Sequence, residues 1–396
     1  QVLHGLTDEV AALVLADNDA QGQALTLAET AKRERFEADV RLMRDLERRK
    51  QLDRVVDFLP DDETVAARAK AGAFLTRPEL CVLLSLAKNA LVDALMDTDY
   101  PDGPGVEGEL FAAFPPTLVR DYRAGIEAHR LRREIVATVA ANELVNRGGI
   151  AFANEQMAES GRDAGDVARA FAVARGAFDL DTIWNQVRAL DNKISAAAQT
   201  EMLHAWRRLL RIATGWMLRR RAMISVRGDI AAYRPGIALL AERLPEIVGI
   251  EEFNKARDAL CARGVPESLA VSIARLDLLD PALAIVELGG DPVGAARQFQ
   301  AVSERLHLGR MVTKLRGLVG TGLWPQRAAE SLIEELYRGQ AAITRLSGGN
   351  LDAFLARRRR SSDHFLAIAE EIDAAPSPDL ARLLLASQAL AALAAD

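Results

Sequence analysis

The densest run of groups that could do chemistry is His129-Arg130-Leu131-Arg132-Arg133-Glu134, set in an otherwise apolar helical stretch. Paired guanidinium forks beside an imidazole suit an anion or carboxylate clamp, because arginine presents coplanar donors that match a carboxylate. The same groups could instead pair with acids of a neighbouring helix and fix its docking. Asn142 and Asn146 follow one helical turn apart and suit buried backbone groups at a helix end. His129, Arg132, Arg133, Asn142 and Asn146 are therefore the candidate structural or interaction residues. No residue is assigned a catalytic, cofactor-binding or metal role. Arg357-Arg358-Arg359-Arg360 is the longest basic run. Phe354 and Phe365 flank it too distantly for a stacking platform, and it reads as a solvated helix face paired with Asp352, Asp363 and Glu370.

Other routes to chemistry close one by one. The sequence has no GxGxxG turn, no phosphate-binding P-loop motif and no HExxH. The glycine-rich Arg316–Gly322 stretch has no strand pattern before it, so it reads as a helix junction. His4, His129, His204, His307 and His364 are scattered without metal-ligand spacing. Cys81 and Cys261 have no CxxC partner and read as reduced helix thiols. Basic residues number 50 against 56 acidic, a net charge of -6, which excludes a globally basic nucleic-acid binder. No apolar run approaches the ~18 residues of a membrane span. Neither nucleic acid nor membrane is expected as a partner, and a cytoplasmic setting fits the cysteine usage.

The elements that must position these residues are helices. Aromatics are only 5%, and alternating Val, Ile and Thr runs are nearly absent, which disfavours sheet. The fold class expected is all-α, an irregular multi-helix array with no substantial sheet. Phe58–Asp97 is the best-specified stretch. Acids open its first helix and Gly72 ends it; Thr76, Pro78 and Glu79 form a capping-box start for the second. Leu80, Leu83, Leu84, Ala87, Leu91, Ala94 and Leu95 then recur at helical spacing. Thr7 is expected to cap an opening helix, a long charged helix to cover about 21–51, and single helices to run from Thr117 to Arg147 and from Ser195 to Arg221. Breaks are expected at Gly228, Pro235-Gly236, Pro245, Gly264, Asp280-Pro281, Gly289-Gly290, Gly320–Gly322 and Gly348-Gly349. A core or interface helix follows Ser377-Pro378. The domains expected are 1–55, continuing from an upstream core, a central helical domain 56–225 and a C-terminal helical domain 226–396.

Several long runs, in consistent order, carry a resemblance. They are LTDEVAALVLADN from Leu6, LDRVVDFLPDDE from Leu52, LTRPELCVLLSLAK from Leu75, FPPTL from Phe114, HRLRREIVATVAANELVNRGG from His129, ALDNKI from Ala189 and the Gln199–Arg221 helix. The chain resembles the C-terminal region of the large bacterial NAD-specific glutamate dehydrogenases from Leu6 to about Pro245, and onward mainly through GVPESLA at Gly264–Ala270. The resemblance implies a subunit that oxidatively deaminates L-glutamate to 2-oxoglutarate and ammonia with NAD as hydride acceptor. It implies that the catalytic and nucleotide-binding residues lie upstream, so this stretch alone is expected to be inactive and to hold no cofactor. The start at Gln1, without Met, agrees with a piece of a longer chain. The partners implied are the upstream catalytic domain of the same chain and further copies in a homo-oligomer. The alternative is a free-standing helical interaction scaffold without enzymatic activity.

Overall fold

The structure is a computed structural model that describes residues 6–318, 322–377 and 379–395. Among these, 21 α-helices make up most of the regular structure, with three short 3-10 or π-helical turns and no strand. None of the described helices is long and apolar enough to cross a membrane. The chain divides into two units. The first holds the residues up to Gly176 together with Ala213–Ile230, and the second holds Ala177–Ile212 and the residues from Ala231 onward.

The first unit is built on α1 (Thr7–Thr30), α2 (Lys32–Arg48), α3 (Asp62–Ala71), α4 (Arg77–Met96), α5 (Glu107–Ala112), α6 (Pro116–Glu127), α7 (Arg132–Glu143), α8 (Phe152–Ser160) and α9 (Ala164–Ala177). Local sequence explains its best-formed turn. Asp61 accepts from the Thr64 N–H at 2.8 Å to start α3, and Gly72 ends it at φ 68°, a conformation that favours glycine. Thr76 and Glu79 then close a reciprocal capping box on α4. The buried stripe Leu80, Leu83, Leu84, Ala87, Leu91 and Leu95 faces α7. That helix answers with small residues, Ala137, Ala140 and Ala141, beside Val136. Each leucine fully buried this way is worth about 1.5–3 kcal/mol of transfer free energy.

Three helices of the first unit differ from their sequence expectation. The opening helix has no side-chain cap: Leu6 occupies the cap position and Thr7 is already helical. Its first-turn acid Glu9 instead accepts from the Thr117 N–H at 3.0 Å. The long charged helix is also divided differently, since α1 continues to Thr30 and Ala31 separates it from α2. Thr117–Arg147 is not one helix either. It breaks at 128–131, where His129 Nδ1 accepts from the Leu131 N–H at 3.1 Å and competes with the helical backbone pattern. After α7 the chain widens into a π-helical turn, Leu144–Gly148.

The second unit contains α10 (Leu180–Arg188), residues 196–212 of α11 (Ala196–Arg220), and α12 (Val226–Val248) from Ala231. It continues with α13 (Ile250–Cys261), α14 (Glu267–Leu276), α15 (Ala282–Val286), α16 (Pro292–Arg305), α17 (Leu308–Arg316), α18 (Leu323–Ser347), α19 (Leu351–Arg357), α20 (Arg359–Ala374) and α21 (Leu380–Ala395). Trp206 of α11 donates its indole N–H to the Leu180 carbonyl at 2.8 Å and packs on Trp184 with ring centroids 4.6 Å apart. A second core gathers Met311, Leu315, Leu336, Ile343, Phe365, Leu390 and Leu393 between α17, α18, α20 and α21.

The breaks expected at Gly228, Pro235-Gly236 and Pro245 do not occur, because α12 runs through all of them. Each proline removes one helical N–H, yet Tyr233, Ile237, Leu240 and Leu244 bury one continuous face, and that packing outweighs the local cost. Gly236 serves close approach instead: a Cβ there would lie 2.8 Å from Cγ2 of Val286. Val319–Thr321 and Pro378 lie outside the described residues, and so do most of the expected Gly320–Gly322 break and half of the Ser377-Pro378 helix start.

Candidate functional site

Of the sequence-marked residues, Arg132 and Arg133 meet where α4 ends and α7 begins, and the other three lie elsewhere. Arg133 donates through Nη2 to the Met96 carbonyl at 2.9 Å and the Thr98 carbonyl at 3.4 Å, so its positive charge sits on the C-terminal end of α4. Its other guanidinium nitrogen meets the Asp102 carboxylate. Arg132 donates to the Pro101 carbonyl at 3.0 Å and lies 3.8 Å from Asp102. Both forks are thus occupied by protein oxygens of the α4 end and the turn that follows it. His129 stands apart on the exposed α6–α7 break, its ring 6.0 Å from that of Phe114 in an edge contact. Asn142 is half-buried on α7, while Asn146 is buried in the π-helical turn. That turn packs against α1, α4 and α8.

The first unit also holds buried charge that the sequence reading does not single out. Glu155, 1% exposed, pairs with Arg35 of α2. Asp39, one turn further along α2, is also buried, and burial pushes its carboxyl up to about 7. The Arg35 guanidinium pulls that value down and the Glu155 charge pushes it up. Glu109 is raised by burial as well, and it accepts from the Tyr100 hydroxyl at 3.3 Å. Glu143 holds Arg147 at 2.9 Å and Arg175 at 3.0 Å. Asp39 carries a readable signal, since it falls three residues after Phe36 and four before Met43 on the buried face of α2.

The second unit has its own ionic node. Asp280, between α14 and α15, has a side chain 1% exposed and takes both Arg208 of α11 and Arg316 of α17. Asp277 adds a further carboxylate on Arg208. These acids hold the Arg208 guanidinium further up, against the opposing effect of burial. Tyr337 is half-buried beside the node, and desolvation of its hydroxyl raises it. Arg211 reaches Glu330 at 3.0 Å, and Gln326 donates to the same carboxylate at 2.9 Å. A buried carboxylate between two guanidinium groups locks four elements to one another.

Among the described residues no group of three or more His, Cys, Asp or Glu side chains could hold a metal ion. Arg316 is the last residue of α17, and residues 319–321 of the glycine-rich stretch lie outside the described residues. Cys81 is exposed and Cys261 half-buried, and both are free thiols.

Residues 72–392 match the family described as glutamate dehydrogenase, C-terminal. The NAD-specific glutamate dehydrogenase of Halomonas elongata is 37% identical over 351 residues, which cover 87% of this chain and 22% of that protein. The enzyme of the same name from Pseudomonas aeruginosa is 38% identical over 347 residues, 86% of this chain and 21% of the relative. The Mycobacterium tuberculosis NAD-specific glutamate dehydrogenase is 28% identical over 345 residues, again 85% of this chain and 21% of the relative. The chain therefore spans about a fifth of the length of the curated relatives it matches. With the match running across both helical units, the chain belongs to the glutamate dehydrogenase C-terminal family.

Proposed function

We propose that this chain is the helical, non-catalytic C-terminal part of an NAD-dependent glutamate dehydrogenase. The whole subunit would oxidatively deaminate L-glutamate to 2-oxoglutarate and ammonia, with NAD bound and reduced elsewhere in it. The observation that carries the reading is the family match over residues 72–392, together with relatives of which the aligned stretch covers only 22% and 21%. The role is structural or regulatory: this region docks on the catalytic domain of the same chain, in a cytoplasmic homo-oligomer.

The first unit offers a surface suited to that docking. Val55, Val56 and Phe58 are exposed by 84%, 68% and 85% on one loop. Adjacent exposed apolar side chains of this kind mark interaction sites more often than isolated ones do. The loop is held from beneath by Arg54, which is buried and donates to the Pro60 carbonyl and the Asp62 carboxylate, each at 3.0 Å.

The test uses the complete subunit. Deleting residues 72–392 is expected to reduce NAD-dependent glutamate oxidation or change the oligomer seen by light scattering. Val55→Ser with Phe58→Ser is expected to shift the same readouts more weakly. Turnover of glutamate by the isolated chain would overturn the non-catalytic assignment. A deletion that leaves rate, regulation and assembly intact would overturn the supporting role.

A further inference from the structure

The basic run at 357–360 does not form one solvated helix face. The helix ends at Arg357 and restarts at Arg359, and the side chains of this junction surround a cavity. The cavity is about 610 Å³ and is lined by Leu346, Phe354, Arg357, Arg358, Arg359, Arg360 and Ser361. Arg358 is fixed in its wall: the guanidinium lies 4.5 Å from the Phe354 ring centroid and donates to the Leu393 carbonyl at 3.3 Å. Arg359 has one acid, Asp363 at 3.6 Å, with side chains 86% and 68% exposed, a pairing that water screens heavily. Asp352, expected to neutralise this run, pairs instead with Arg305 at 4.0 Å. Among the described residues no carboxylate pairs with Arg357 or Arg360.

Consecutive guanidinium groups around one concavity repel one another and focus a positive potential into it. Phe354, buried in the wall, places a low-dielectric surface beside those charges and strengthens the field. A single carboxylate would leave most of the charge unanswered, whereas a phosphate chain offers several oxygens to several forks. The volume falls within the range of about 300–1,000 Å³ typical of small-ligand sites. A nucleic-acid strand fits less well, because Phe354 is buried and presents no face for base stacking. The chain as a whole also carries a net charge of -6. We propose that the cavity at the α19–α20 junction binds a small molecule through a di- or triphosphate group held by Arg357, Arg359 and Arg360, with Arg358 fixing the wall.

Calorimetric titration of the full 396-residue chain with inorganic pyrophosphate, ADP and a single-stranded RNA of about twelve nucleotides tests this at physiological ionic strength. At least one diphosphate is expected to bind with a Kd below about 1 mM. Arg357→Gln with Arg360→Gln is expected to weaken it by about tenfold or more, with the thermal unfolding midpoint unchanged. Should the glutamine pair lower that midpoint, Arg357→Lys with Arg360→Lys makes the same comparison with charge retained, and a loss of affinity is expected there from the missing forks. Equal affinity for both diphosphates assigns the site to the phosphate chain alone, and tighter ADP binding assigns it to a nucleotide. The proposal is overturned if neither diphosphate binds, if the variants bind as the parent does, or if RNA binds more tightly than both.

Discussion

Arg208 reaches both carboxylate oxygens of Asp280 through one nitrogen, Nη1, at 2.8 and 2.7 Å. The contact is 72 positions apart in the chain and ties α11 to the start of α15. Arg316 of α17 closes the node from another side. Asp280→Ala would leave two guanidinium groups facing each other with their shared counter-charge gone. The expected loss is about 3–5 kcal/mol, the usual cost of breaking a buried pair from one side. Urea denaturation measures it, and a change below about 1 kcal/mol would show the node to be energetically idle.

Asp39 sets a pH dependence whose sign can be worked out. Its carboxyl is pushed up to about 7 in the folded chain, against an ordinary value of 3.8. The folded state therefore keeps a proton that the unfolded chain has already released. The resulting stabilisation is complete below about pH 4, declines as pH rises toward about 7, and is absent above that. An asparagine at this position has no proton to lose, so Asp39→Asn should gain on the parent chain between about pH 5 and about pH 8. Urea midpoints of both proteins at those two values provide the comparison, and parallel behaviour would remove Asp39 from the account.

Thr76 tests the helix that the first unit is packed around. Its hydroxyl accepts from the Glu79 N–H while Glu79 accepts from the Thr76 N–H at 2.7 Å. Glu79 also takes Arg68 at 2.7 Å, which links the start of α4 to α3. Thr76→Ala is expected to cost about 1 kcal/mol, and Thr76→Ser far less, because serine restores the acceptor. Equal losses from the two substitutions would mean that the methyl group matters and the cap does not.

Gly236→Ala opposes two effects of known sign. Alanine favours a helix interior over glycine by about 1 kcal/mol. Here the new methyl would meet Cγ2 and Cγ1 of Val286 at 2.8 and 3.3 Å, and a β-branched side chain has little room to turn away. Overpacking of this kind costs about 1–3 kcal/mol, so a net loss is expected. Gly236→Ala with Val286→Ala should recover part of it in a double-mutant cycle, and strictly additive losses would rule out the contact.

What could be read from the chain alone follows the range of the interaction. Caps, left-handed ends and the stripe of α4 depend on residues within a turn or two, so Asp61, Gly72 and Thr76 were legible in place. The all-α class followed from the same short-range signals summed along the chain. The run at 129–134 stood out locally, yet the carbonyls that Arg133 holds, at Met96 and Thr98, lie more than thirty positions away. Nothing nearby announces them. Pro235 and Pro245 misled for the converse reason, since a strong local signal was overruled by the buried face of α12. The buried roles of Asp280, Glu155 and Asp39 are not legible locally, because charged side chains are expected outside and only tertiary structure shows what neutralises them. The basic run at 357–360 was visible as charge, while its cavity appears only once α19 and α20 have separated.

The loop that carries Val55, Val56 and Phe58 has one more consequence. The Asp53 carboxylate accepts from the Val55 and Val56 N–H groups at 3.0 and 3.2 Å, and the Leu59 N–H returns to the Arg54 carbonyl at 3.0 Å. Phe58 is held at φ 54° between these bonds. The backbone beneath the exposed side chains is thus ordered as soon as the unit folds, and a partner landing on them has no loop to arrange. Encounter frequency would then depend little on which apolar side chains stand there, while residence time would depend on them strongly. Trimming Phe58 should shorten the lifetime of such a contact and leave its rate of formation nearly the same.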